Sequence, residues 1–242
     1  MKKHIVALLI VVVLVLSGYS ELLAGTNACA KSDAICREFA ALSVAGKYQA
    51  IIDKVSPKRS YSDAARVLIG NAYLIASGRE GITPQQEEQL CLKALEYGAT
   101  SAYMSLYFIH AKTDTVKANG FLKQFVETKP QDAASYVLLG ESDFKQGNYK
   151  GAKEYLHEAK KVSRGKSGDL DWLLFKASYL AGDYTMASAM LDSSFSQGKT
   201  AGDLKALASS DDRFAAMGKQ YEFRKFFKIL NGVTLAKASL KA

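Results

Sequence analysis

The sequence predicts an all-α chain built from repeated pairs of short amphipathic helices. Three observations carry this. Apolar residues recur at helical spacing, and no sustained Val/Ile/Thr alternation appears outside the first 16 residues. A Gly-x-Tyr turn recurs as Gly46-Lys47-Tyr48, Gly147-Asn148-Tyr149 and Gly182-Asp183-Tyr184. Between the last two the offset is 35 residues, and Ala152/Ala187 and Leu156/Leu191 keep it. With 48% apolar residues, 242 residues and only three Pro, the chain can bury a substantial core and carries few helix breakers.

At the start, Met1-Lys2-Lys3-His4 is positive, Ile5 to Leu16 is a run of twelve apolar residues, and Ser17 to Ala28 is small and polar. That layout is a secretory signal peptide of bacterial style, with a cut expected after Ala24 or Ala28. Twelve helical residues span about 18 Å, short of a bilayer core of about 30 Å. Extending the segment to Leu23 gives a marginal uncleaved anchor with Glu21 inside it. Lipidation at Cys29 is a third reading, but Thr26-Asn27-Ala28-Cys29 lacks a Leu three before the Cys. Export places the protein in the periplasm or outside the cell; the uncleaved alternative anchors it in the inner membrane, facing the periplasm.

Three cysteines, Cys29, Cys36 and Cys91, are an odd set for an oxidising compartment. On one continuous helix Cys29 and Cys36 would be about 10 Å apart, too far to bridge. A Cys29–Cys36 disulfide therefore requires a turn at Lys31-Ser32-Asp33, where Ser32 is a candidate N-cap. Cys91 lies on an apolar helix face and reads as a buried small hydrophobe.

The central pair runs from Ala133 to Val162. Tyr136, Leu139 and Gly140 fall at helical spacing, the Gly147-Asn148-Tyr149 turn follows, and Ala152, Leu156 and Ala159 line the second helix. This order resembles the tetratricopeptide repeat. Stepping back one period from Ala152 and Leu156 reaches Ala118 and Leu122, in a unit over 99–132 whose first helix carries Ala102 and Leu106. Upstream, Ala65-x2-Leu68-x-Gly70-x2-Tyr73, a long loop from Ser77 to Pro84, and Lys93-Ala94-Leu95-Glu96-x-Gly98-x3-Ala102 resemble a Sel1-like repeat. A first unit over 32–61 keeps the turn but has Ile51 where a small residue is expected. The resemblance implies a right-handed solenoid of about five helix pairs over 31–201, stacked into one core, with Lys160 to Gly168 the nearest candidate hinge.

After Gly202 the turn motif stops. Asp203 to Phe214 and Phe223 to Leu230 read as two helices, and 202–242 as a cap and tail. Phe214, Tyr221, Phe223 and Phe227 supply a covering face and Lys219, Arg224, Lys225 and Lys228 a polar one. A basic aromatic helix also suits a membrane surface; the cap is favoured because a repeat adjoins it.

The residues offer little for catalysis. His110 and His157 lie in different repeats, and Glu154 with His157 reads as a helix-surface contact. Asp169-x-Asp171 sits at a helix start, where carboxylates complement the dipole. No metal-ligand cluster, phosphate loop or nucleophile motif is present, so neither enzyme activity nor a cofactor is expected. The net charge of +8, about +7 without residues 1–24, is too dispersed for nucleic-acid recognition.

By the tetratricopeptide resemblance, the first helix of each pair lines a concave groove. The positions implied are Tyr103, Tyr107 and His110 in one unit, Val137, Glu141, Phe144 and Lys145 in the next, and Trp172, Lys176 and Tyr179 in the third. Core packing is the alternative for Tyr103, Tyr107 and Phe144, and Trp172-x2-Phe175-x3-Tyr179 also matches the core register, so for Trp172 both placements stand open. The expected function is a non-catalytic scaffold or adaptor that binds a protein or peptide in the cell envelope, with Lys145 and Lys176 attracting an acidic partner. The alternative is an anionic envelope polymer or lipid surface, held through the basic charge.

Overall fold

The structure, a computed structural model, describes residues 29–164 and 167–226. The leader, including both candidate cleavage sites, and the tail from 227 onward lie outside the described residues. Among the described residues there is no strand, and eleven α-helices account for the architecture. They are α1 (Ala34–Val44), α2 (Tyr48–Asp53), α3 (Asp63–Ser77), α4 (Pro84–Glu96), α5 (Ala102–His110), α6 (Thr115–Thr128), α7 (Ala133–Lys145), α8 (Tyr149–Ser163), α9 (Gly168–Leu180), α10 (Tyr184–Ser196) and α11 (Ala201–Ser210). The contacts form two compact units divided between Thr128 and Lys129. The first holds the hairpins α1/α2, α3/α4 and α5/α6; the second holds α7/α8 and α9/α10. Within each unit consecutive hairpins pack on one another, through α2–α3 and α4–α5 in the first and α8–α9 in the second.

The recurring turn has a simple mechanism. Gly46, Gly147 and Gly182 take φ of +68°, +80° and +80°, a backbone state that favours glycine. The next amide then reaches back to the first helix: Lys47 N–H donates to Leu42 C=O at 2.8 Å, Asn148 to Asp143 and Asp183 to Ser178 at 2.9 Å. That same residue caps the second helix. Asn148 Oδ1 accepts from the Gly151 amide at 3.2 Å and Asp183 Oδ1 from the Met186 amide at 3.1 Å. Lys47 has no such acceptor, and its helix, α2, is only 6 residues long against 15 for α8 and 13 for α10. At the end of α8, where the repeat pattern lacks its proline, Arg164 takes φ +47°.

Small residues at the hairpin seams let helices approach. Ala102 with Leu106, Ala118 with Leu122, Ala152 with Leu156, and Ala187 with Leu191 are all buried. Gly140 faces Leu156 so closely that an added methyl would stand 2.6 Å from its Cγ. These are closely packed helical hairpins. Ile51 is also fully buried, so the larger residue of the first pair fills space that a small residue leaves for helix approach elsewhere.

At the start of the described chain, the sulfurs of Cys29 and Cys36 are bonded, with Cα atoms 5.5 Å apart. The turn falls where expected, with Asp33 N–H donating to Ala30 C=O. The cap of α1, however, is Asp33 rather than Ser32, accepting from the Cys36 amide at 2.9 Å. Asp33 also accepts from the Ser62 hydroxyl, joining the N-termini of α1 and α3. Cys91 is buried, and burial pushes its thiol up.

Of the two helices expected in the C-terminal segment, α11 forms the first as far as Ser210; residues 224–226 are helical where the second is expected, and its remainder lies outside the described residues. After α11 come three 3-10 turns, Asp212–Phe214, Met217–Lys219 and Tyr221–Phe223. Phe214 and Met217, like Phe223 and Phe226, are three apart in sequence. All four are buried in one cluster with Phe175, Tyr179, Ala187 and Leu191. Tyr221 is exposed instead of covering this core. Among the described residues no helix is long and apolar enough to cross a membrane.

Candidate functional site

In the second unit, α7 and α9 bring together most of the side chains that the resemblance marks there. Val137 and Phe144 are half-buried, each resting on the core formed by Ala152, Leu156 and Leu174. Glu141 lies between them on α7, half-buried, while Lys145 is exposed. Trp172, on α9, is half-buried. It packs against the core at 5.1 Å from Phe175, and its ring carries the Lys199 ammonium at 5.9 Å. Lys199 is held by Asp169 at 2.7 Å.

Lys176, one turn after Trp172, places its ammonium 5.4 Å from the Phe144 ring centroid. Burial pushes this amine below the ordinary lysine value; the Glu141 carboxylate acts in the opposite direction. No acid among the described residues forms an ion pair or hydrogen bond with it. A half-buried cation lying against an aromatic ring, without an anion, is the most distinctive electrostatic feature of this face.

Tyr179 does not belong to the face. It is 7% exposed, stacked on Phe214 at 5.2 Å and edge-on to Phe223 at 5.4 Å. The C-terminal segment covers it. Sequence reasoning also missed a contributor. Arg213, 64 residues beyond Tyr149, donates to its hydroxyl at 2.8 Å and lies 5.5 Å from the Phe144 ring. The Asp211-x-Arg213-Phe214 string was the available signal, but it reads as a chain-closing motif and does not say where the guanidinium goes.

The first unit places its three candidates differently. Tyr103 and Tyr107 are half-buried on α5, with Tyr107 edge-on to Phe108 at 5.1 Å. His110 turns toward α4 and α6: its Nε2 is 3.1 Å from Glu88 Oε1, and its ring stacks on Phe121 at 5.8 Å. Lys117 Nζ donates to the same Glu88 oxygen at 2.6 Å. Lys117 and then His110 hold the Glu88 carboxyl below its usual range. His110 thus belongs to a contact among three helices, with partners distant in sequence.

The Asp169-x-Asp171 pair splits. Asp169 is exposed, whereas Asp171 is buried and accepts from Lys160 Nζ, from the Ser193 hydroxyl and from Gln197 Nε2. This network ties α8, α9 and α10 together. Among the described residues no three His, Cys, Asp or Glu side chains converge as metal ligands.

The fold and this face define a helical-hairpin repeat chain with an aromatic and basic surface in its second unit. No family model and no curated protein matches the sequence. Among solved structures, a MamA mutant aligns at 16% identity over 67% of this chain and 91% of that one, with a TM-score of 0.43. A second MamA structure, designated AMB-1, aligns at 14% identity over 76% and 94%, with a TM-score of 0.44. At these values the hairpin geometry itself carries the assignment of the fold.

Proposed function

We propose that this protein is an exported, non-catalytic scaffold or adaptor that binds a segment of another envelope protein. The binding face runs over α7 and α9 and presents Val137, Glu141, Phe144, Lys145, Trp172 and Lys176; Tyr103 and Tyr107 on α5 provide the corresponding surface in the first unit. The observation that carries this is the Lys176 ammonium, half-buried on Phe144 and lacking an acid of its own among the described residues. A face that keeps a half-buried cation, with no ion-pair partner among the described residues, beside an aromatic ring suits a complementary protein segment better than bulk water. Export is supported by the layout of residues 1–28 and by the Cys29–Cys36 disulfide, which persists in oxidising compartments. That disulfide also engages the sulfur that lipidation would require.

Site-specific photocrosslinking in cells tests the reading. A photoreactive amino acid at Glu141 or Lys145 should yield a discrete adduct, and one at Glu154, exposed on α8, should not. The same adduct from all three positions, or none from Glu141 and Lys145, would remove this face from consideration. Fractionation with thiol labelling checks location: the protein should appear in the envelope or medium, with Cys29 and Cys36 protected until reduction.

A further inference from the structure

The C-terminal segment closes a core, and it also contributes a charged wall to the same face. Arg213 is fixed from two sides. Its Nε and Nη2 donate to the two carboxylate oxygens of Asp211 at 2.8 and 2.6 Å, and its Nη1 donates to the Tyr149 hydroxyl at 2.8 Å. The guanidinium carbon then lies 5.5 Å from the Phe144 ring centroid and 5.8 Å from that of Tyr149. Two cations, Lys176 and Arg213, therefore share the Phe144 ring. Three of the five guanidinium donors are engaged, leaving one on each terminal nitrogen.

We propose that Phe144, Lys176 and Arg213 form a carboxylate-binding site for an acidic side chain of the partner, so that the C-terminal segment supplies part of the recognition. This rests on the reading of the α7–α9 face as a protein-binding surface. Several features fix the chemistry. Asp211 pairs with Arg213 and Asp169 with Lys199, whereas Lys176 has no ion-pair partner among the described residues, although the Glu141 carboxylate acts on it through space. The planar guanidinium is already oriented by Asp211 and Tyr149, so little ordering remains to be done on binding. The carboxylate would also relieve the cost of keeping the Lys176 amine charged while half-buried.

The test uses a phage-displayed library of random dodecapeptides selected against the full chain. Lys176→Met and Arg213→Gln are the main variants, with Lys176→Arg and Arg213→Lys as charge-preserving controls; Trp172 fluorescence during urea unfolding verifies that each is folded. Peptides enriched on the wild type should carry glutamate or aspartate. Their affinity should fall about tenfold or more with Lys176→Met and with Arg213→Gln, and less with the two charge-preserving variants. Replacing the peptide's acids by amides should cause the same loss on the wild type and none on Lys176→Met. Equal binding of the acidic and amide peptides overturns the carboxylate site while leaving the binding face intact. Loss with Lys176→Met but not with Arg213→Gln overturns the part given to the C-terminal segment. If no selected peptide is sensitive to Glu141→Lys or Trp172→Ala, the face itself falls, and this site with it.

Discussion

Gly140→Ala sets two effects of opposite sign against each other. Within a helix interior, alanine is favoured over glycine by about 1 kcal/mol. At this position the added methyl would stand 2.6 Å from Leu156 Cγ, 2.9 Å from its Cδ2 and 3.2 Å from the Ala152 carbonyl oxygen. The nearest atom is the branch point of a buried side chain, not a flexible tip, and the third is backbone. Relief thus requires α7 and α8 to move apart, which costs about 1–3 kcal/mol as overpacking. The net expectation is a loss of up to about 2 kcal/mol. Gly120→Ala, in α6 with nothing within 4 Å of the new methyl, should instead gain about 0.5–1 kcal/mol. Urea unfolding followed by far-UV circular dichroism reads both variants, and the fluorescence of the single tryptophan, Trp172, reads the second unit. In a Leu156→Ala background, itself costing about 2–5 kcal/mol, Gly140→Ala should become stabilising. A Gly140→Ala chain that gains stability as Gly120→Ala does, or whose penalty is the same with and without Leu156, would refute the close-approach argument.

The buried carboxylate of Asp171 holds Lys160, Ser193 and Gln197, so Asp171→Ala should lower stability by about 3–5 kcal/mol, while Asp169→Ala, at an 86% exposed side chain, should cost under about 1 kcal/mol; urea midpoints compare them. Asp183 is held below the usual carboxylate range first by the Lys153 ammonium and then by the Met186 amide. Its stabilisation is therefore complete above the unfolded value, near 3.9, and is lost as pH falls through the lower folded value. The stability gap between wild type and Asp183→Asn should be constant from about pH 7 to 5 and shrink below about pH 4; a gap that persists at the lowest pH still permitting folding contradicts this. Replacing Cys29 and Cys36 by serine opens a loop with a sequence separation of 7 and should cost the first unit about 2 kcal/mol, measured by chemical unfolding of oxidised wild type against the variant.

What the sequence revealed and what it concealed divide along the range of the interactions. The turns are legible because the glycine, its following amide and the capping side chain all act within six residues. The Ala–Leu seams are legible because a small and a large residue at a fixed interval specify one face of one helix. Arg213 is different. Its partners are Asp211, two residues away, and Tyr149, 64 residues away, and only the folded C-terminal segment brings the second within reach. Tyr179 occupies a groove position by register, yet Phe214 and Phe223 cover it, and a repeat pattern cannot anticipate a ligand supplied by the chain itself. His110 faces Glu88 and Lys117 from two other helices for the same reason. The sequence pattern extends the first C-terminal helix four residues too far, through Phe214, because residues three apart share a face in an α-helix and in the 3-10 turn that replaces it from Asp212.

The Gly-x-Tyr turn has a consequence for how such a chain can change over time. One residue ends a helix and the next begins another, so the joint contains no slack. The angle between paired helices follows from two backbone conformations and one cap, none of which involves the outward side chains of α7 or α9. Exposed residues of that face, such as Lys145, are consequently free to vary without altering the frame, whereas a single insertion at the joint would rotate the second helix and misplace its entire seam. Shape and recognition are thus inherited separately, and a lineage can exchange one partner for another while the hairpins stay superimposable.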